Sequence, residues 1–169
     1  MTRERIWEEL KQAKANIICI QMYTDKKRAW NRWYNFLIAL LSGIGALSYN
    51  INELIPVGAS IAIGLLTISR PIVPQILQPE SELAELDVLH CYYTQYLNKI
   101  ELIWFNLDKD IKSEKCIMDE FNALKDLECE KEAILNKGIR HISGRFQKKI
   151  DTEVNNYINK IYNTSCQNQ

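Results

Sequence analysis

Residues 36–49 read FLIALLSGIGALSY, and residues 54–69 read LIPVGASIAIGLLTIS. Neither segment contains a charged residue, and the connector between them, residues 50–53, is short and polar. A connector of this length places two consecutive helices side by side in antiparallel orientation. Pro56 fits the first turn of the second helix, because the nitrogen there has no helical hydrogen bond to lose. Residues 33–72 are therefore predicted to form a helical hairpin.

The hairpin has the composition of a transmembrane element. Each apolar run is shorter than the about 20 residues that a spanning helix needs, so the flanks must supply the difference. Trp30, Trp33 and Tyr34 precede the first run, and such aromatic side chains favour the membrane interface. The alternative is a buried hairpin in a soluble helical protein, but helices of a small soluble domain normally carry a polar stripe. We therefore predict that residues 33–72 form a two-helix transmembrane hairpin.

Basic residues set the predicted orientation of this hairpin. Lys26, Lys27, Arg28 and Arg32 precede the first helix, Arg70 follows the second, and the connector has no basic residue. The positive-inside rule then puts both termini in the cytoplasm and the connector outside. A basic side chain near a helix end can also extend its charged tip to the headgroups. The predicted interface anchors are Arg28, Trp30, Arg32, Trp33 and Arg70.

Small side chains share faces of both hairpin helices. In lipid, small residues let helix backbones approach closely, either within the hairpin or between protomers around a pore. Two helices cannot enclose a pore alone, so a channel requires an oligomer. Glu53 lies in the outer connector, where a ring of copies could select cations. The predicted pore or helix-packing residues are Ala39, Ser42, Gly43, Ala46, Glu53, Gly58, Ser60, Ala62, Gly64 and Thr67.

Apolar residues spaced three and four apart predict an amphipathic helix before the hairpin, from about residue 3 to residue 24. No Gly or Pro interrupts the chain before Gly43. We therefore expect this helix to run on into the first hairpin helix, with only a bend near Thr24 and Asp25.

The same spacing predicts three helices after the hairpin. A stripe of apolar residues marks a long helix at about residues 81–109, and a second stripe, residues 117–134, marks a helix that ends near Gly138. A third helix carries the apolar residues of 139–161, with Gly144 as a weak point inside it. These stripes are predicted to be mostly core, although long near-heptad stripes also suit coiled-coil contacts between protomers.

The predicted fold class is all-α, a multi-pass membrane protein. No strand pattern of any length interrupts the helical spacing. The predicted parts are an N-terminal amphipathic helix at residues 1–32, the hairpin at 33–72, a cytosolic helical bundle at 73–162, and a frayed tail at 163–169.

Composition and motifs argue against several classes of function. The 21 basic residues balance the 21 acidic ones, so the chain has no global electrostatic attraction to duplex nucleic acid. It has no glycine-rich phosphate loop and no other enzyme motif, so we predict neither enzymatic activity, a cofactor nor a metal site. The 5 cysteines include no CxxC pair and are expected to be reduced thiols. The neighbouring carboxylates Glu128 and Glu130 are expected to lie on solvated helix faces.

A cluster of basic residues lies near the start of the last predicted helix. Arg side chains and Ser hydroxyls are donors that a phosphate needs. Three interpretations remain open, namely a solvated helix face, contact with anionic lipid headgroups, and binding of a nucleotide or oligonucleotide. The residues concerned are Lys137, Arg140, His141, Arg145, Lys148 and Lys149.

The order of these features resembles a known family. An amphipathic helix with an early tryptophan, Trp7, leads to a junction rich in Arg and Trp, which reads KKRAWNRW at residues 26–33. A hairpin with a Gly-rich first span follows, and then a long helix with tyrosines. This pattern is similar to the SLATT family, the two-transmembrane effector domains associated with nucleotide-signalling bacterial defence systems. The resemblance covers nearly the whole chain and rests on architecture and local similarity.

The resemblance implies a bacterial anti-phage effector. Such proteins are thought to form homo-oligomers that open a pore or perturb the inner membrane, after a nucleotidyltransferase partner makes or withdraws a nucleotide signal. The family supplies no catalytic residues to carry over. The rival hypothesis from the residues is a non-conducting membrane anchor or scaffold whose cytosolic helices recruit a partner protein. A soluble helical interaction module is the third.

Overall fold

The computed structural model of the chain describes residues 2–47, 54–72, 79–139 and 142–163, and these residues are almost entirely helical. The helices are α1 (Thr2–Leu47), α2 (Leu54–Ile72), α3 (Glu80–Asp108), α4 (Glu114–Gly138) and α5 (Gly144–Ile158), with a π-helical turn at Asn159–Asn163. The all-α prediction is confirmed for the described residues. The expected run of the first helix into the hairpin is also found, because α1 is helical throughout Thr24 and Asp25.

The chain divides into two compact units. The larger unit contains Met1–Tyr23 and Ala84–Gln169, and the smaller unit contains Thr24–Leu83. Helix α1 contributes residues to both units.

The predicted apolar stripes form the core of the larger unit. Ile6, Leu10 and Ile20 of α1 are fully shielded from solvent, because their spacing of three and four puts them on one helix face. The other helices contribute their own stripes to the same core, namely Leu86, Tyr93, Tyr96, Ile100, Ile117, Phe121, Ile150 and Val154.

Two stripe positions on α4 were predicted as core and are not. Leu127 is 64% exposed and Ile134 is 43% exposed. The buried face of α4 instead passes through Glu128 and Leu135, each one residue further along the chain. One residue is a rotation of 100° on a helix, so both predicted positions lie to the side of the core.

A Schellman motif ends α3. Asp110 has a positive φ of 50°. Its amide donates to the Leu107 carbonyl at 3.4 Å, while the Ile111 amide donates to the Asn106 carbonyl at 3.0 Å. This pair of bonds satisfies carbonyls that the helix end leaves open. Helix α4 follows at once, with the Ser113 hydroxyl accepting from the Cys116 amide at 3.4 Å as an N-cap.

The last predicted helix, expected to carry the apolar residues of 139–161, begins later than expected. Helix α5 begins at Gly144, so this glycine is the first helical residue and not a weak point in the interior. Ser143 precedes it in an extended conformation, and the Ser143 carbonyl accepts from the amides of Phe146 and Gln147. Gly138 ends α4, where a Cβ would come within 3.0 Å of the Leu86 side chain. The stretch between the two glycines therefore separates two helices.

Candidate functional site

The smaller unit leaves a series of large apolar side chains on its exterior. On α1 the most exposed is Trp33 at 68%, and on α2 Leu65 and Ile68 are 66% and 65% exposed. Contiguous exposed apolar patches mark sites of contact with proteins, ligands or membranes. We call this set the apolar surface, and it consists of Trp30, Trp33, Phe36, Leu37, Leu40, Ile44, Val57, Ile61, Leu65 and Ile68.

The hydroxyl groups of Ser42 and Thr67, next to this surface, are turned back onto their own helices. The Ser42 hydroxyl donates to the Ile38 carbonyl at 2.9 Å, and the Thr67 hydroxyl donates to the Ile63 carbonyl at 2.8 Å. Each bond connects a side chain to the carbonyl four residues earlier, which satisfies the hydroxyl without water. The surface can therefore enter an apolar environment without stranding these donors.

Helices α1 and α2 are in contact within the smaller unit. The Tyr34 hydroxyl donates a hydrogen bond to the Leu66 carbonyl. Ala59 of α2 is also buried, at 9% exposure. The Tyr34 bond therefore joins the two helices that carry the apolar surface.

The predicted helix-packing residues are mostly at the exterior of the unit. A Cβ built at Gly43, Gly58 or Gly64 meets no atom within 4 Å, so these glycines do not mark close helix contacts inside the chain. Ala46 and Glu53 lie outside the described side chains. The remaining members divide into exposed Ala39, Ser42, Gly43, Gly58, Ser60 and Thr67 and half-buried Ala62 and Gly64.

An open apolar groove lies at the junction that precedes the hairpin. Its volume is about 500 Å³. The Trp33 ring meets Phe36 edge to face, with centroids 5.8 Å apart. The described lining residues are Lys26, Ala29, Trp30, Trp33, Tyr34 and Leu37. Lys26 is the one charged member of that lining, so the groove combines an aromatic wall with a cation.

Two of the predicted interface anchors, Trp30 and Trp33, line this groove. Trp30, Trp33 and Arg32 are exposed, and the Arg28 guanidinium lies 4.0 Å from a Glu80 carboxylate oxygen. The Arg70 side chain lies outside the described part. Within the residues that the structure describes, no helix combines the length and the apolar character that crossing a bilayer requires.

The predicted basic cluster stays exposed where the structure describes it. Lys137 is near the end of α4, while Arg145, Lys148 and Lys149 are on α5. Arg140 and His141 lie outside the described residues. Ser143 makes no side-chain cap bond. This placement is compatible with a solvated face, a headgroup contact and a nucleotide site alike.

A buried polar cluster in the larger unit was missed by sequence reasoning. Glu128 is 2% exposed, which corrects the expectation of a solvated face. Its carboxylate accepts from the Tyr93 hydroxyl at 3.1 Å and from the Lys125 ammonium at 2.9 Å. The same ammonium lies 2.8 Å from a Glu9 carboxylate oxygen, and Glu9 also accepts from the Tyr96 hydroxyl at 2.9 Å. One cation on α4 thus joins two carboxylates from different helices.

The cluster shifts the titration of its own members. Burial, with the charge of Glu128, raises the pKa of Tyr93, and burial with the charge of Glu9 raises the pKa of Tyr96. Burial opposes the charged form of Lys125, but hydrogen bonds to Glu9 and Glu128 outweigh it, and the pKa of Lys125 is raised. All three groups are therefore held in the protonated form that donates.

One signal in the sequence pointed to this cluster. Tyr93 and Tyr96 fall on the buried side of the long apolar stripe, and a buried tyrosine hydroxyl needs a partner. Glu128 stands seven residues after Phe121, on the same face of α4. A search of that face for carboxylates would have found it.

An aromatic cluster connects the π-helical turn to the rest of the larger unit. The Trp7 ring lies 4.9 Å from the Trp104 ring and 5.0 Å from the Tyr162 ring, measured between centroids. The neighbouring Tyr157 hydroxyl donates to Glu101. The Lys14 ammonium sits 4.1 Å from the centroid of the Tyr157 ring, a cation–π contact. This cluster fixes the π-helical turn against α1 and α3.

Metal chemistry finds no support in the described part of the chain. There, no three His, Cys, Asp or Glu residues come together in a group that could hold a metal ion. The four cysteines that the structure describes, Cys19, Cys91, Cys116 and Cys129, are free thiols. No family model, no curated protein and no solved structure matches this chain.

Proposed function

We propose that this protein is a membrane-active effector, in which the apolar surface of the smaller unit enters a lipid bilayer and assembled copies open a pore or disrupt it. The observation that carries the proposal is the exposure of large apolar side chains on two adjacent helices. Leaving them in water is unfavourable by roughly 25 cal/mol for each Å² of apolar area. A bilayer or other copies of the chain would remove that area from water.

The proposed insertion uses short helices. Helix α2 has 19 residues, which is about 28 Å at a rise of 1.5 Å per residue. The hydrocarbon core of a bilayer is about 30 Å thick. A short helix is accommodated by thinning of the bilayer, by basic and aromatic flanks and by oligomerisation. We therefore propose that several copies insert together into a locally thinned membrane.

The setting we propose is bacterial anti-phage defence at the inner membrane, with both termini in the cytoplasm. It follows from the resemblance of the junction and hairpin to the SLATT family and from the distribution of basic residues. A nucleotide-type signal from a partner enzyme would then control assembly. The described lysines and Arg145 of the basic cluster are the residues we propose for contact with phosphate, because they are exposed.

Vesicle binding tests insertion with a matched pair of leucines. Leu65 on the apolar surface is 66% exposed and Leu127 on α4 is 64% exposed. An aspartate inside the hydrocarbon region is unfavourable by about 3 kcal/mol, which is about a hundredfold in partitioning. We expect Leu65→Asp to lose co-sedimentation with anionic vesicles about a hundredfold, while Leu127→Asp binds as the wild type does. Equal binding of both variants would contradict insertion through the apolar surface.

The glycines separate the pore from the rival membrane anchor. A Cβ at Gly43 or Gly64 meets no atom within 4 Å in the described part of the single chain. Gly43→Leu and Gly64→Leu should therefore fold normally and still bind vesicles. If the copies pack through these faces, release of a self-quenching dye should fall at least tenfold. If the wild type binds vesicles and releases no dye, the protein is a non-conducting anchor, and the pore proposal fails.

A further inference from the structure

Helix α3 has a second stripe that sequence reasoning did not single out. Its buried face packs into the core of the larger unit, through residues such as Tyr93 and Ile100. The opposite face is exposed, with Val88 at 72%, Leu102 at 60% and Phe105 at 51%. We call this face the outer stripe, and it consists of Val88, Cys91, Gln95, Asn98, Leu102 and Phe105.

The spacing of the outer stripe is that of a helix–helix seam. Its members alternate steps of three and four residues, which is the a/d pattern of a coiled coil. Helix α3 is already folded, because its inner face lies in the core. A partner helix would therefore find a preformed surface, and association would not have to order α3 as well.

The polar centre of the outer stripe argues against a lipid partner. Gln95 and Asn98 lie between the apolar ends, and the Gln95 amide nitrogen is 3.9 Å from the Cys91 sulfur, so it stays on this face. Burying an amide without a hydrogen-bond partner is costly. A carboxamide both donates and accepts, so its best partner is another carboxamide.

We propose that a second copy of this chain packs antiparallel on the outer stripe, with a twofold axis between Gln95 and Asn98. In that register, Gln95 of one copy faces Asn98 of the other, and this pairing occurs twice. Val88 then meets Phe105, and Cys91 meets Leu102. The isologous geometry uses the same patch on both copies and closes at a dimer.

The sizes of the side chains favour the antiparallel register. It pairs the large Phe105 with the small Val88 and the large Leu102 with the small Cys91, so the layers have similar volume. A parallel pair would stack Phe105 on itself and Cys91 on itself, giving one crowded and one thin layer. Interiors are packed densely, and even layers avoid both overlap and voids.

This interface does not rest on membrane insertion. Every residue of the outer stripe belongs to the larger unit, whereas the apolar surface belongs to the smaller unit. The dimer can therefore be measured in detergent without vesicles. Loss of vesicle binding would leave this proposal standing, and loss of the dimer would leave insertion standing.

Thiol cross-linking tests the register directly. The background is the full chain with Cys116→Ser, Cys129→Ser and Cys166→Ser, which retains Cys91 on the outer stripe. Cys19 is buried and burial raises its pKa to about 11, so it is a poor reactant at neutral pH. Adding Leu102→Cys to this background should give a covalent dimer with a short bis-maleimide, at least tenfold more than the background alone.

Two controls decide between the registers. Leu102→Cys combined with Cys91→Ser should lose the cross-link, because an antiparallel pair does not bring two copies of position 102 together. Leu127→Cys, equally exposed on α4, should not cross-link either. A cross-link through Cys91 alone would show a parallel pair, and no cross-link in any variant would show that a second copy does not cover the stripe. Either result overturns the proposal.

Discussion

The two units of this molecule treat polarity in opposite ways. The larger unit buries charged and hydroxyl groups in its interior, where Glu128 meets Lys125 and Tyr93. The smaller unit leaves large apolar side chains such as Trp33 and Leu65 on its exterior. The interior Glu128 carboxylate is tolerable because Tyr93 and Lys125 of the same unit supply its hydrogen bonds. Large apolar side chains on an exterior gain no such partner from their own unit. We propose a bilayer as the surroundings of those on the smaller unit, and a second copy as the cover of the outer stripe on the larger unit.

The largest expected difference comes from one truncation made in both units. Phe121 is 1% exposed in the larger unit, and Phe36 is 56% exposed in the smaller. Phe121→Ala should lower the free energy of unfolding by about 3–5 kcal/mol, through lost apolar contact and a cavity. Phe36→Ala should change stability in detergent by less than about 0.5 kcal/mol and weaken vesicle binding instead.

Urea denaturation followed by circular dichroism measures the first effect, and vesicle co-sedimentation measures the second. A Phe36→Ala variant as unstable as Phe121→Ala would remove the contrast between the units.

The next effect concerns the cation between two carboxylates. Lys125→Met leaves Glu9 and Glu128 without their shared partner. It should lower the free energy of unfolding by about 2 kcal/mol at pH 8. A fully buried pair would lose more, but the Lys125 side chain keeps contact with water. The pKa of Lys125 is raised in the folded state. Its contribution is therefore fully present below the unfolded value of about 10.4 and is lost as the pH rises through the folded value.

The stability gap between wild type and Lys125→Met should accordingly stay constant from pH 8 to about pH 10 and shrink as the pH rises further in urea titrations. A gap that does not shrink above that pH would mean that Lys125 contributes through packing of its methylene groups alone.

A smaller effect compares tyrosine hydroxyls in the two units. Tyr93→Phe removes a donor from the buried Glu128 carboxylate and should cost about 1–2 kcal/mol. Tyr34→Phe removes a donor from the Leu66 carbonyl, an uncharged acceptor. It should therefore cost less than about 0.5 kcal/mol of unfolding free energy. Thermal unfolding of both variants in one detergent measures the difference. Equal costs would show that the smaller unit is held together by polar contacts as the larger one is.

The smallest expected effect tests whether helix ends in the larger unit are fixed by side chains. The Ser113 hydroxyl caps α4, whereas the Ser143 hydroxyl makes no cap bond on α5. Ser113→Ala should cost about 1 kcal/mol, and Ser143→Ala should be close to neutral. Chemical denaturation of the pair checks this, and a reversed order would mean that α5 gains a cap in solution.

Spacing predicted the helices well because core helices need one apolar face. The stripes of α1 and α3 are buried as expected, and helix bounds such as Glu80–Asp108 lie within a residue or two of their predictions. Spacing could not decide between positions one residue apart, so Leu127 was preferred to Glu128 as a core residue. Apolar residues mark the buried face of a helix reliably only where no charged residue can be buried with a partner. On α4, Lys125 is such a partner for Glu128.

The candidate sites were harder to predict than the fold. The apolar character of residues 33–72 was evident from the sequence, and the structure adds that large side chains such as Leu40 and Leu65 are exposed. The outer stripe was overlooked because Gln95 and Asn98 interrupt its apolar pattern. The contact of Glu9 with Lys125 joins residues 116 positions apart, and no local pattern encodes such a distance.

The buried thiol of Cys19 can report how often the larger unit opens. Its thiol is 7% exposed, and burial raises its pKa to about 11. Only the thiolate reacts quickly with disulfide or maleimide reagents, so labelling of Cys19 must wait for the helices around it to separate. The labelling rate, compared with that of exposed Cys116, reports the frequency of that opening under native conditions. Any ligand that tightens the larger unit would slow this rate, so an activating signal could be recognised without knowing the activity it controls.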